Sequence, residues 1–230
     1  MSKRQYEDAC GAAHALELVG ERWALLIVRE LMLGPKRFSD LRAGLPGVSP
    51  NVLTQRLDEL EHAHLLVRRK TPPPNSISVY ELTPWATELE PIIGAFAKWA
   101  ARSPTKPEGT PMSVNGIVMS LRTMFNSDAS KGFTARLNLV LNGQVFTASV
   151  KNGDFEIERG VAPNAEITFD GDPNALMALI YGGQSIAQAM KAGAKITGDQ
   201  KVLARFTKLF PLPPKAPITF AGDELTQLEP

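Results

Sequence analysis

Asn51 and Gln55 are carboxamides four residues apart, and each can hydrogen-bond bidentately to an adenine edge in a DNA major groove. They lie in the segment Pro50–His64. At about 100° per residue, Leu53, Leu57 and Leu60 fall within about 60° of one another and form a core stripe. Asn51, Gln55, Asp58 and His62 fall on the opposite face. Cations suited to phosphate surround this segment: Lys36, Arg37, Arg56, Arg68, Arg69 and Lys70. Ser39, Ser49, Thr54 and Asn75 add hydroxyl and amide groups, and the whole set is the candidate DNA-binding surface. Contacts to phosphate position a protein on the duplex, while contacts to base edges specify sequence. Between Lys36 and Lys70 there are seven cations and four acids, a net of +3. Ordinary solvent-facing helix residues and a solvated charged face are the bland alternatives.

Other chemistries are weaker. Cys10 stands four residues before His14, with Lys3 and Arg4 nearby, a setting that can favour thiolate; a small buried helix residue is the plainer expectation. His62 and His64 are two apart on a helix end, do not face each other and have no evident third ligand, so no metal is expected. No Gly-rich phosphate loop, His-Glu-x-x-His or Gly-x-Ser-x-Gly elbow occurs. Neither an enzyme nor a cofactor is expected.

The surrounding elements are mostly helical. Glu7–Val19 carries Ala12, Ala15, Leu16 and Val19 at helical spacing, and Trp23–Leu33 carries Trp23, Leu26, Ile27 and Leu31 before Gly34. Phe38–Leu45 is a short third helix. Ser49 caps the fourth, with Pro50 at its first position. Leu66–Lys70 and Ile77–Leu82 read as strands joined by the proline-stiffened loop Thr71–Ser76. Thr83-Pro84 opens a fifth helix running to about Ala101, with Leu89, Ile92, Ile93, Phe96 and Trp99. This is the element order of a winged helix-turn-helix.

These residues resemble the HxlR-type family of bacterial transcriptional regulators, relatives of the MarR group. The match is carried by Cys10, by Ala15–Trp23, by Leu31–Leu41, and most densely by Leu45-Pro46-Gly47-Val48-Ser49-Pro50-Asn51-Val52-Leu53-Thr54-Gln55-Arg56-Leu57. The resemblance implies a homodimer, built by the first and last helices of this domain, on a palindromic operator in double-stranded DNA. Some similar regulators sense redox state or electrophiles, which makes Cys10 a candidate sensor. Similar proteins usually carry glycine near His64 and an acidic or glycine-containing stretch at Pro84-Trp85-Ala86; this chain departs at both.

The second half differs in composition. Arg136–Leu141 and Gln144–Val150 flank Asn142-Gly143, a hairpin signal. Phe155–Glu158 and Glu166–Phe169 read as further strands of a small antiparallel sheet, with Glu156 and Glu158 on a solvated face. Asp172-Pro173 caps a helix, Ser185–Met190 is another, and a last one carries Val202, Leu203, Phe206, Leu209 and Phe210. Ala165–Asp170, Asp172-Pro173 and Lys191–Asp199 resemble a sterol-carrier-protein (type 2) domain. That resemblance implies an apolar tunnel, with Leu176, Leu179, Ile180, Phe206, Leu209 and Phe210 as candidate lining for a hydrophobic small-molecule effector. Simple core is the alternative role for all six.

The expected fold class is therefore α+β. A winged helix-turn-helix DNA-binding and dimerisation domain spans 1–103, a proline-rich linker 104–111, and a sterol-carrier-like ligand-binding domain 112–230. The whole chain of 230 residues has a net charge of only +1, which excludes a uniformly basic nucleic-acid binder but not a locally basic one. One cysteine excludes an intramolecular disulfide framework. No apolar run approaches the ~18–20 residues of a membrane span, and Met1–Cys10 has no signal-peptide core. The expectation is a cytoplasmic, effector-responsive dimeric regulator, more simply a repressor than an activator. A lipid carrier using its winged helix for dimerisation or protein contact is the alternative.

Overall fold

The computed structural model describes residues 6–107 and 109–217. Helix α1 (Gly11–Val19) begins later than Glu7, because the Asp8 carboxylate accepts the Cys10 backbone N–H at 2.9 Å and holds this stretch out of the helix. Helix α2 (Ala24–Leu31) follows Trp23, whose left-handed φ of 79° separates the two helices. Helix α3 is Phe38–Gly44, and α4 is Pro50–His62. The Ser49 side chain accepts the Val52 N–H at 3.3 Å and Pro50 occupies the first turn, so α4 starts where its capping residues require. Leu53, Leu57 and Leu60 are buried as a stripe. After α4 the chain reverses through His64 at φ 58°, the left-handed turn for which glycine is the usual residue.

Strands β1 (Leu66–Lys70) and β2 (Ser78–Leu82) pair antiparallel, with Leu66 opposite Leu82 and Lys70 opposite Ser78. Lys36 adds a third rung: its backbone N–H donates to the Tyr80 carbonyl at 3.0 Å and its carbonyl accepts the Tyr80 N–H at 2.8 Å. The expected single helix after Thr83 is two, α5 (Pro84–Thr87) and α6 (Leu89–Ala101). Pro91 explains the break, since it has no N–H to offer the Thr87 carbonyl and its ring collides there.

The second half opens on a helix that was not expected, α7 (Val114–Met124), capped by Ser113 accepting the Gly116 N–H at 2.9 Å. Strands β3 (Ala135–Leu141), β4 (Gln144–Lys151), β5 (Asp154–Arg159), β6 (Ile167–Gly171) and β7 (Lys195–Gly198) form one sheet in the order β5-β4-β3-β6-β7. The expected antiparallel sheet is in fact mixed. β3 and β6 run parallel, Leu137 beside Ile167 and Leu141 beside Gly171, because β4 and β5 form an intervening hairpin meander on the other side of β3. β7 is a short edge strand where only an approach to the last helix was expected. Helices α8 (Pro173–Ile180), α9 (Ile186–Lys191) and α10 (Gln200–Phe206) complete the element order. The protein is α+β, a winged helix-turn-helix followed by a sheet-containing half. Among the described residues, no helix is long and apolar enough to cross a membrane.

The buried apolar residues form two clusters. One joins Ile27, Leu31, Leu41, Leu53, Leu57, Leu60 and Leu66 with the wing. The other packs Leu137, Leu139, Phe146 and Phe169 of the sheet against Ile117, Leu176, Leu203 and Phe206 of the helices. Between them lie two polar residues with no exposed surface, Glu30 of α2 and Asn115 of α7.

Candidate nucleic-acid interface

The polar face of α4 is open. Asn51, Thr54, Gln55, Asp58 and His62 are exposed while the leucine stripe beneath them is sealed. The Gln55 side-chain amide donates to Glu59 Oε1 at 3.0 Å, so a carboxylate one turn on orients the group that would meet a base. His62 Nδ1 lies 2.6 Å from the Asp58 carbonyl, a helical contact rather than a metal site, and no cluster of metal ligands occurs among the described residues.

The candidate phosphate contacts divide into three kinds. Lys70, at the end of β1, is exposed and has no side-chain partner among the described residues, as does the Asn75 side chain on the wing loop. Arg37 is exposed but donates from Nε and Nη2 to Asp40 at 2.9 and 3.0 Å. That contact holds the Asp40 carboxyl below the usual carboxylate range. Ser39 also donates to Asp40, at 3.3 Å. Arg69 pairs across the hairpin with Glu81, whose carboxyl is likewise lowered. Arg68 donates to Ser78 Oγ at 3.1 Å and lies over the Tyr80 ring, its guanidinium carbon 5.7 Å from the centroid.

Two expected contacts point elsewhere. Arg56 is largely buried, paired with Glu59 of its own helix and with Glu21 at 3.2 Å. Its position beside the Leu57 stripe turns it toward the α1–α2 junction, so it ties α4 to that junction rather than facing DNA. Lys36 is only 11% exposed; its Nζ donates to Glu30 Oε2 at 2.7 Å and to Asn115 Oδ1 at 3.1 Å. A lysine counted toward the groove thus points into the body of the protein.

The group holding Lys36 was not foreseen. Glu30 Oε1 accepts from Arg29 at 2.8 Å and from the Ser113 hydroxyl at 2.6 Å, and its backbone carbonyl accepts the Asn115 amide at 2.7 Å. Nearby, Arg159 donates to the Leu33 carbonyl at 2.9 Å, and Arg122 bridges Glu90 and the Ile157 carbonyl, each at 2.8 Å. One sequence signal existed: Glu30 places a carboxylate on the apolar stripe of α2, between Ile27 and Leu31.

Cys10 is exposed at the start of α1, not buried within it. The His14 ring nitrogen faces Glu17 at 3.2 Å rather than the thiol; Lys3 and Arg4 lie outside the described residues. Leu176, Phe206, Leu209 and Phe210 are sealed in the second core, Leu179 is nearly so and Ile180 packs at its margin. The Phe206 and Phe210 rings meet edge to face at 4.9 Å.

Comparison with known proteins divides the chain at the same seam. Residues 18–107 match the HxlR-like helix-turn-helix family model, and residues 110–216 match the model for the alkyl sulfatase C-terminal family. The HTH-type transcriptional regulator YvaP of Bacillus subtilis is 40% identical over 87 residues, covering 37% of this chain and 80% of that protein. The HTH-type transcriptional regulator YodB of the same organism is 36% identical over 86 residues, covering 37% of this chain and 77% of that protein. Among solved structures, the inverting sec-alkylsulfatase Pisa1 from Pseudomonas sp. is 26% identical, with a TM-score of 0.37. That match covers 39% of this chain and 15% of the sulfatase. The family model that the second half matches is that of the alkyl sulfatase C-terminal family, and no match to a sterol-carrier domain is among these findings.

Proposed function

The chain belongs to the HxlR-like helix-turn-helix family, and from that premise we propose a homodimeric repressor that reads a palindromic operator with α4 and answers to an apolar small molecule. The observation that carries this is the division of α4. Its leucines are sealed into the first core while Asn51, Thr54 and Gln55 stand exposed, and on the wing Lys70 is exposed with no side-chain partner among the described residues. In this reading Gln55 and Asn51 contact bases, and Lys70, Arg68, Arg37, Ser39, Ser49 and Asn75 contact the backbone. The DNA-binding and dimerisation unit is 1–103, joined by 104–111 to a ligand-binding unit at 112–230.

Helix α6 supports the dimer. Leu89 and Ile93 face the first core, while Glu90 and Gly94 face α7. The third side presents Ile92, Phe96 and Trp99, which are 59%, 58% and 69% exposed. Helix α1 buries none of its residues and leaves Leu16 exposed. A symmetric pairing of these faces covers them and sets two copies of α4 for half-sites about 34–36 Å apart. An alkyl-bearing effector is suggested by the alkyl sulfatase family match and by the apolar helix α8.

The carrier alternative keeps one observation in its favour. Arg37, Arg56 and Arg69 are neutralised by Asp40, Glu59 and Glu81, and Lys36 by Glu30. Selection of duplexes from a random library by the full chain separates the two readings: a regulator enriches a palindrome, and a carrier enriches none. Gln55→Ala is expected to lower affinity for the enriched duplex by about 1–3 kcal/mol with little change on random DNA. Trp99→Asp is expected to shift the protein from dimer to monomer in sedimentation, since truncating a central aromatic anchor costs about 2 kcal/mol or more.

A further inference from the structure

Lys36 joins three parts of the molecule. Its backbone pairs with Tyr80 of β2, its ammonium meets Glu30 of α2, and the same ammonium meets Asn115 of α7. The end of α3 leans on the same carboxylate, since a Cβ at Gly44 would stand 2.6 Å from Glu30 Oε2. Tyr80 in turn carries the Arg68 guanidinium on its ring. A continuous path therefore runs from the second half, through a largely covered Lys36–Glu30 pair, to both the wing and the helix that precedes α4.

From this path we infer that Asn115 is a positioning residue for DNA binding, holding the wing and α3 in their DNA-competent arrangement through Lys36. The inference rests on the DNA-binding reading above. Asn115 fits the role by chemistry as well as place. Its carboxamide both accepts from Lys36 and donates to the Glu30 carbonyl, so it fixes the lysine against the α2 backbone with no exposed surface of its own. The second half thereby contributes to DNA affinity without touching DNA. Displacement of α7 would be felt at the wing.

The test uses the full chain and the duplex it enriches from a random library, with affinity, salt dependence and unfolding midpoint measured for Asn115→Ala, Lys36→Gln, the double variant, and Lys36→Arg. Each single variant is expected to weaken binding about tenfold, the double no further than either, because the two act as one unit. Lys36→Gln should leave the salt slope unchanged, and Lys36→Arg should recover part of the loss. Gly44→Ala, which displaces the Glu30 carboxylate without removing a partner, should weaken binding in the same way and guards against a fold failure at Lys36. Parent-like affinity in a folded Asn115→Ala or Gly44→Ala protein overturns the inference. So does a slope reduced by about 0.9 in Lys36→Gln, the mark of a direct phosphate contact. Failure of the parent chain to enrich any duplex overturns the DNA-binding reading instead, and the inference with it.

Discussion

The exposed face of α4 with its wing, and the seam between the two halves, use the same residue types to opposite ends. On the face, Asn51 and Lys70 stand in solvent, their side chains without a hydrogen-bond partner among the described residues. In the seam, Asn115 and Lys36 are closed over and fully engaged with Glu30. A polar group in water can exchange its partners for a nucleic acid at little cost. The same group in a low-dielectric interior is costly to leave unpaired, and so fixes geometry. The face is built to be re-partnered and the seam to stay as it is.

The strongest way to break this contrast is Glu30→Ala. It leaves Arg29 and Lys36 facing each other without their carboxylate, and the expected loss of stability is about 3–5 kcal/mol in denaturant unfolding. A change of under about 1 kcal/mol would show that the seam is no more costly to disturb than the surface. The Tyr181 hydroxyl sharpens the contrast by pH. Burial pushes its pKa up from 10.0 to about 12, with Ser120 of α7 at 2.8 Å opposing part of the shift. The folded state thus prefers the neutral phenol. Its contribution is complete below pH 10 and is lost as pH rises toward 12, a decline of about 2–3 kcal/mol. Tyr181→Phe should flatten that decline in unfolding curves taken between pH 9 and 12. The smallest expected effect lies on the face: Lys70→Gln should change stability by less than about 0.5 kcal/mol, yet reduce the salt slope of log K by about 0.9. An unchanged slope would take Lys70 off the DNA.

The parts of the fold that sequence made readable are those whose causes are local. Ser49-Pro50 and the leucines after it define α4 within 13 residues. Asn142-Gly143 defines the β3–β4 hairpin, and both residues take positive φ, 48° and 77°. What escaped has causes distant in the chain. Helix α7 carries Ile117, Val118, Leu121 and Met124 at helical spacing behind its Ser113 cap, so the helix itself was legible; what escaped is the role of Asn115, whose partners stand 79 and 85 residues away. The parallel pairing of β3 with β6 depends on which strands lie between them. Lys36 looked like its neighbour Arg37, and nothing nearby announces a partner 79 residues on. Charge patterning located a basic segment but could not say which cations were already neutralised. That depended on acids across a hairpin, as Glu81 is from Arg69, or one helical turn away, as Glu59 is from Arg56.

The chain enters the second half and comes back from it beside the same two residues, Arg102 and Ser103. The Ala216 N–H donates to the Arg102 carbonyl at 2.8 Å, the Arg102 guanidinium to the Pro214 carbonyl at 3.3 Å, and Lys215 Nζ to the Ser103 carbonyl at 2.9 Å. Entry and exit so close together make a cassette of everything between them, the arrangement under which modules are exchanged with least disturbance to a host. The cassette nonetheless carries a key, because a replacement would have to present a carboxamide to Lys36 where Asn115 now stands. Grafting a foreign module at residue 103 therefore has a simple design rule: match the contacts to Lys36 and Glu30 first.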